Sequence, residues 1–411
     1  MLKSVMPALL LSAAIAVTAS AKTAPPPPPE PLPPGLVVSQ PVETRLDMHI
    51  GGRVLPLVRG TDRAWAYQWP AIYFEGRFKG PSVALAFDDP NNSFNVLVDD
   101  RVVAQLNKPG RTRFTLDNLG DGPHVIRLEK RTETQYGTGI FKGFFVPDKS
   151  LALAPPKTKR AIEFIGDSVI AGSGNTAPAA NCTADQVLAA TDSQQSPGAV
   201  TAKHYKADYQ INAFSGLGMV RNFDGRAHPK YDLPMLYPRV LFDDKRADDT
   251  DWSPQIIVVD LGAADFATPV HADEPWKSES QLRNDFEAAY LAFVSDLRQR
   301  HPQATIVLAA PAGRGGYTDG TLGAYYKLKA QGDTRVVHLT LPATTATGCN
   351  GFPNIQADAQ LADAYVALID GLPDAWQETP PPAKPAPVKP KAKAAAAKVT
   401  AAKVTAQKKK P

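Results

Sequence analysis

Long apolar runs are scarce in this sequence. The one near the start, Met6 to Val17, is shorter than the ~20 residues that a membrane span needs. No later stretch is long and apolar enough to cross a bilayer, so no transmembrane span is expected. Metal-binding patterns are missing too. No His pair at helical spacing has a third ligand nearby, and Gly172-Ser-Gly174 lacks the lysine and the spacing of a phosphate-binding loop. No metal and no cofactor are expected. Cysteine is nearly absent. Cys182 and Cys349 are the only two in 411 residues, and in an oxidising compartment the expectation is one disulfide between them.

Proline is abundant, with 39 residues, and its densest runs lie at the two ends. The N-terminus reads as a secretory signal over residues 1–21. Lys3 gives the positive region, Met6 to Val17 the apolar run, and Ala19-Ser20-Ala21 the small-residue cleavage site. An exported protein, periplasmic or extracellular, is therefore expected. Residues 22–36 form a proline-rich spacer that cannot build a core. Residues 377–411 form a Pro/Ala/Lys-rich tail. From Glu378 onward it holds nine lysines against one glutamate, a net +8 in a chain of +4, which leaves −4 for everything before it. The basic balance thus belongs to the tail, which reads as a solvated, disordered segment or as a tether to an anionic envelope polymer. Export makes nucleic acid an unsuitable partner.

Between these ends the pattern changes once. Residues 37–150 read as all β. Alternating strands fall at Ala71–Phe78, Ser82–Phe87, Phe94–Val98, Arg113–Leu116, His124–Leu128 and Gly139–Phe145, with turns such as Gly120-Asp-Gly-Pro123 between them. Short strands about every ten residues imply a β-sandwich, a jelly roll. Trp65, Tyr67, Trp69 and Tyr73 are candidate sugar-binding aromatics, though core or interface placement is the commoner fate of such residues. Lys130-Arg-Thr-Glu133 follows a strand and either faces the second domain or is a solvated charged turn.

Residues 155–376 read as α/β. Strands at Ile162–Ile165, Tyr209–Ala213, Gln255–Leu261, Ala304–Ala310 and Arg335–Leu339 alternate with helices, including Gln281–Arg300 and Asp358–Leu368. Apolar strands separated by helices imply a parallel sheet covered on both faces. The expected architecture is a flavodoxin-like three-layer α/β/α domain.

The chemistry centres on Ala161–Asn175. Here an apolar strand breaks at Gly166-Asp167-Ser168 and enters a glycine-rich turn. Ester hydrolysis by serine needs a nucleophile, a proton acceptor and donors for the oxyanion. Ser168 is the candidate nucleophile. After the next strand, Ser215-Gly-Leu-Gly218 can bring a backbone N–H close to an oxyanion, and Gly218 is the candidate donor.

The order Gly166-Asp-Ser168, Ser215-Gly-Leu-Gly218 and Leu261-Gly-Ala-Ala-Asp-Phe266 resembles the SGNH (GDSL-type) hydrolases. With the front sandwich, its Phe78-Lys-Gly80, Val98-Asp99 and His124…Glu129-Lys-Arg-Thr-Glu133, the chain from about Val37 to Leu372 is similar to carbohydrate esterase family 2. Members of that family are exported two-domain sugar O-deacetylases. The resemblance implies an esterase acting on acylated polysaccharide.

Two positions depart from the family pattern. Its third motif reads Gly-x-Asn-Asp, with the Asn side chain donating to the oxyanion, whereas this chain has Gly262-Ala263-Ala264-Asp265. Losing such a donor costs about 10²–10³ in rate. Its last motif carries an Asp and then the general-base His before a Pro. Here Asn350 falls at the Asp position and Phe352 at the His position, ahead of Pro353. A substitute base is sought at His271 or His228, on loops expected to border the site, with His271 the first choice. His124, His204, His301 and His338 fall in strands or at helix positions away from it. Asp265, if ionised, would be a poor base for a serine hydroxyl. Two readings follow: an active carbohydrate esterase, or a catalytically impaired relative that binds glycan or envelope polymer without cleaving it.

Overall fold

The computed structural model describes residues 43–60, 62–242, 251–345 and 347–377. The signal segment, the proline-rich spacer and almost all of the basic tail lie outside them.

Twelve strands precede the parallel sheet among the described residues: β1 (Thr44–Arg45), β2 (Met48–Gly51), β3 (Val54–Arg59), β4 (Asp62–Tyr67), β5 (Tyr73–Lys79), β6 (Val83–Asp89), β7 (Ser93–Val98), β8 (Arg101–Asn107), β9 (Gly110–Leu116), β10 (Pro123–Lys130), β11 (Gly139–Val146) and β12 (Ala152–Leu153). They make two antiparallel sheets. One runs β3-β4-β11-β6-β9 with β1 paired on β11, and the other β12-β5-β10-β7-β8 with β2 paired on β5. Phe74, Phe78, Leu85, Phe87, Phe94, Ile126 and Phe141 alternate inward from both sheets and are buried. That alternation makes the sandwich. The short strands β2 to β4 and the exposed strand β8 were not among those read from the sequence. β8 offers the solvent most of its length and so carries little hydrophobic signal.

The second part begins with β13 (Ala161–Gly166), followed by β14 (Asp208–Ala213), β15 (Ile256–Asp260), β16 (Thr305–Pro311) and β17 (Val336–Leu341). These are parallel and ordered β14-β13-β15-β16-β17. The residues of β13 to β16 are buried almost throughout, as a sheet covered on both faces requires. The helices are α1 (Ser168–Ala171), α2 (Ala184–Ala189), α3 (Pro197–His204), α4 (Leu233–Leu236), α5 (Glu279–Arg300), α6 (Gly316–Ala330) and α7 (Ile355–Asp370). The fold is thus a β-sandwich followed by a flavodoxin-like α/β/α layer structure. Helix α6 gave no helical signal because of Gly316, Gly320 and Gly323. A Cβ at the first two would meet the rings of Phe266 and Phe286 at 2.4 and 2.7 Å, so close packing there demands glycine.

The sandwich and the sheet are joined by buried polar contacts. Arg53 reaches Glu163 on β13 and Gln210 on β14. Thr134 Oγ1 donates to the carbonyl of Ala213 at 2.7 Å. The Trp69 indole donates to the Arg239 carbonyl at 2.8 Å, and the Tyr73 hydroxyl to Asp208 at 2.5 Å. Tyr67, Trp69 and Tyr73 are therefore core and joint residues, and Trp65 packs partly buried against the same core.

Candidate active site

Strand β13 ends at Gly166, and the chain turns directly into α1. This puts Ser168, half buried, at the carboxyl edge of the sheet. In open α/β sheets that edge is where sites form. Ser168 opens onto a cavity of about 640 Å³. The motifs expected to converge do so. Ser168 shares this cavity with Ser215, Gly216, Ala264 and Phe352.

The preceding carboxyl braces the turn. Asp167 Oδ2 accepts the N–H groups of Ala263 at 3.0 Å and Ala264 at 3.4 Å, tying the nucleophile turn to the third motif. Burial, together with nearby Asp260, pushes the Asp167 carboxyl up to about 7. Asp260 is itself buried and receives the hydroxyls of Tyr317 at 2.5 Å and Tyr365 at 2.7 Å. Asp265 accepts the backbone N–H groups of Met219, Val220 and Arg221 at 2.8, 2.9 and 2.8 Å, and burial raises it to about 6. It therefore holds the loop after β14 and is absent from the cavity wall.

Two sequence expectations are corrected by this geometry. Gly218 donates its N–H to Asn222 Oδ1 at 3.0 Å and does not line the cavity. That N–H is committed within its own loop. Gly216, with φ of +85°, stands in the wall instead. His271, expected as the substitute base, points its Nε2 to Asp224 at 2.7 Å, while its backbone N–H binds Glu274. It braces a loop away from the cavity. Arg221 completes that brace and holds Glu274 down to about 2. The imidazole in the wall belongs to His228, which packs edge-on against Phe214 with centroids 4.9 Å apart. Partial desolvation lowers its pKa, so the ring is neutral near pH 7, the form a general base needs.

The other histidines lie elsewhere. His49, which the sequence reading passed over, contacts Asp208 at 3.2 Å. His124 binds Asp99 at 2.8 Å, His301 is the buried C-cap of α5, and His338 faces Tyr325. His204 ends α3 against Tyr205.

Phe352 occupies the cavity wall where a base would stand, and Ala264 brings no donor beyond its backbone. Asn350 accepts the Cys182 N–H at 3.0 Å through its side chain, so it secures a loop. Cys182 and Cys349 form a disulfide beside it. The residue the sequence under-read is Glu133. It is fully buried, and it accepts a hydrogen bond from the Ser215 hydroxyl behind the cavity wall.

A parallel sheet carrying a serine at its carboxyl edge, behind a sandwich, defines a two-domain SGNH-type esterase fold. Residues 50–156 match the family model for the N-terminal domain of carbohydrate esterase 2. The chain is 39% identical over 334 residues to an acetylxylan esterase / glucomannan deacetylase of Cellvibrio japonicus, covering 80% of this chain and 92% of that protein. It also superposes, with a TM-score of 0.77 and 38% identity, on a carbohydrate esterase whose active site displays divergent catalytic and non-catalytic binding functions, covering 81% of this chain and 100% of that one. A family two carbohydrate esterase from Clostridium thermocellum, solved with cellohexaose, matches at TM-score 0.68 and 26% identity, covering 79% of this chain and 98% of that one. The chain belongs to carbohydrate esterase family 2.

Proposed function

We propose that this protein is an exported carbohydrate O-acyl esterase that removes acetyl groups from polysaccharide, with Ser168 as nucleophile. The carrying observation is the position of Ser168, on the strand-to-helix turn and open to a cavity walled by all four site motifs. In this reading the Ser168 hydroxyl attacks the ester carbonyl and the alcohol leaves as a sugar hydroxyl. The acyl-serine is then hydrolysed by water. The proton of the hydroxyl passes to His228, the imidazole of the cavity wall, which returns it to the departing sugar oxygen. Backbone N–H groups at Ser168 and Gly216 supply the oxyanion contacts, because Ala264 has none in its side chain. The likeness to an acetylxylan esterase / glucomannan deacetylase supports acetylated plant-type polysaccharide as the substrate class.

A second reading rests on Phe352 and Ala264. With the usual base and one oxyanion donor both replaced, the cavity binds acylated glycan and turns it over slowly or not at all. One experiment separates the two. Purified protein and its Ser168→Ala variant are assayed on an aryl acetate and on acetylated xylan. Turnover that vanishes in the variant establishes the esterase. Identical background in both, with retained binding to the glycan, establishes the binder.

A further inference from the structure

The cavity wall contains two serines besides Ser168, namely Ser173 and Ser215. Behind both lies Glu133, which the sandwich delivers three residues past the end of β10. The Ser215 hydroxyl donates to Glu133 Oε2, and burial raises the pKa of this carboxyl. Glu133 Oε1 has no hydrogen-bond partner of its own. Lys130, also fully buried, gives its Nζ protons to the carbonyls of Thr132 at 2.6 Å and Glu133 at 3.0 Å, and burial lowers its pKa to about 7. The segment is fixed to the sheet through Thr134 and Ala213 and through the Ser193 N–H to the Arg131 carbonyl at 2.9 Å. A buried carboxyl placed so deliberately is neither a fold-wide ion pair nor part of the nucleophile turn.

A serine hydroxyl has one proton and two lone pairs. When that proton goes to a carboxylate, the oxygen can only accept from the other side. We propose that Glu133 is a positioning residue that takes the hydroxyl proton of Ser215, so that this stretch of wall accepts hydrogen bonds only and recognises a free hydroxyl on the acylated sugar. The inference rests on the reading of the cavity as an acyl-glycan site and adds a specificity to it. A sugar unit carrying one ester and one suitably placed free hydroxyl is preferred. A unit without that hydroxyl leaves the wall unpaired.

The test reads binding, not turnover. In protein carrying Ser168→Ala, titration calorimetry compares a monoacetylated methyl xyloside with its deoxy counterparts, each lacking one free hydroxyl. One counterpart should bind about tenfold more weakly, the scale of one lost hydrogen bond. Adding Glu133→Leu should shrink that difference to within about threefold, because no side-chain acceptor is left behind Ser215 and its proton is free to face the cavity. Ser215→Ala should shrink it likewise, and a thermal melt confirms that each variant folds. Equal binding of all the ligands to the Ser168→Ala parent overturns the proposal while leaving the glycan site standing. So does a tenfold difference that survives Glu133→Leu. If the monoacetylated xyloside itself fails to bind, the glycan reading falls and this proposal with it.

Discussion

At the scale of single residues, the site is a candidate nucleophile whose neighbours depart from the family pattern. Ser168 keeps its turn, its cavity and the braced Asp167 behind it. His228 lies in the wall and His271 outside it, held by Asp224. His228→Ala should therefore lower kcat on acetylated xylan at least tenfold, whereas His271→Ala should leave kcat within about threefold. Steady-state kinetics on the two variants checks both. The double change Ala264→Asn with Phe352→His should raise kcat by about 10²-fold or more, the worth of one restored oxyanion donor. A double variant no faster than the parent would show that something other than these two groups limits the rate. Ser168 was legible in the sequence because a strand followed by Gly-Asp-Ser fixes where a hydroxyl must emerge. Gly216 and His228 were not separable from Gly218 and His271, since loop residues a few positions apart reach different sides of a wall. Only the side-chain contacts of Asn222 and Asp224 decide which of them are already committed.

At the scale of elements, the strands and helices with strong periodicity were readable, and the exceptions share a cause. Helix α6 and strand β8 are shaped by neighbours: α6 by the rings of Phe266 and Phe286 that its glycines admit, β8 by the solvent along its exposed length. Helix α7 hides another tertiary effect. Asp358, in its first turn, is buried and accepts from Asn175 Nδ2 at 2.9 Å. Burial pushes its carboxyl from 3.8 up to about 8. A carboxyl raised in the folded state binds its proton more tightly there than in the unfolded chain. Its contribution to stability is therefore full below about pH 4 and is lost as pH rises through about 8. Asp167 and Asp265, raised to about 7 and about 6, act in the same direction. The protein should melt at a higher temperature at pH 5 than at pH 8. Asp358→Asn, which keeps an acceptor for Asn175, should raise the melting temperature by several degrees at pH 8 and by less at pH 5. Calorimetry at the two pH values checks this. An equal shift at both would rule out a buried proton as the cause.

At the scale of the whole molecule, the sandwich and the sheet depend on each other through charge as well as through apolar packing. Glu163 lies in the middle of β13, fully buried, below the strand's carboxyl end. It accepts from Tyr237 Oη at 2.7 Å, Asn212 Nδ2 at 2.6 Å and Trp252 Nε1 at 3.2 Å. Its countercharge comes from the other half of the molecule: Arg53, between β2 and β3, at 3.3 Å. The Arg53 guanidinium also covers the Tyr237 ring, 4.4 Å from its centroid. A carboxylate buried in a parallel sheet without a cation is costly. Arg53→Met should thus reduce the unfolding free energy by about 3–5 kcal/mol, the usual penalty of leaving one partner of a buried pair alone. Adding Glu163→Gln removes the stranded charge and keeps an acceptor for the tyrosine and indole donors. The double variant should recover more than half of that loss. Denaturant unfolding of the single and double variants measures it, and the cycle isolates the pair. If Arg53→Met costs under about 1 kcal/mol, apolar contact alone holds the halves together. The delivery of Glu133 to the cavity wall would then need no charged joint to fix it.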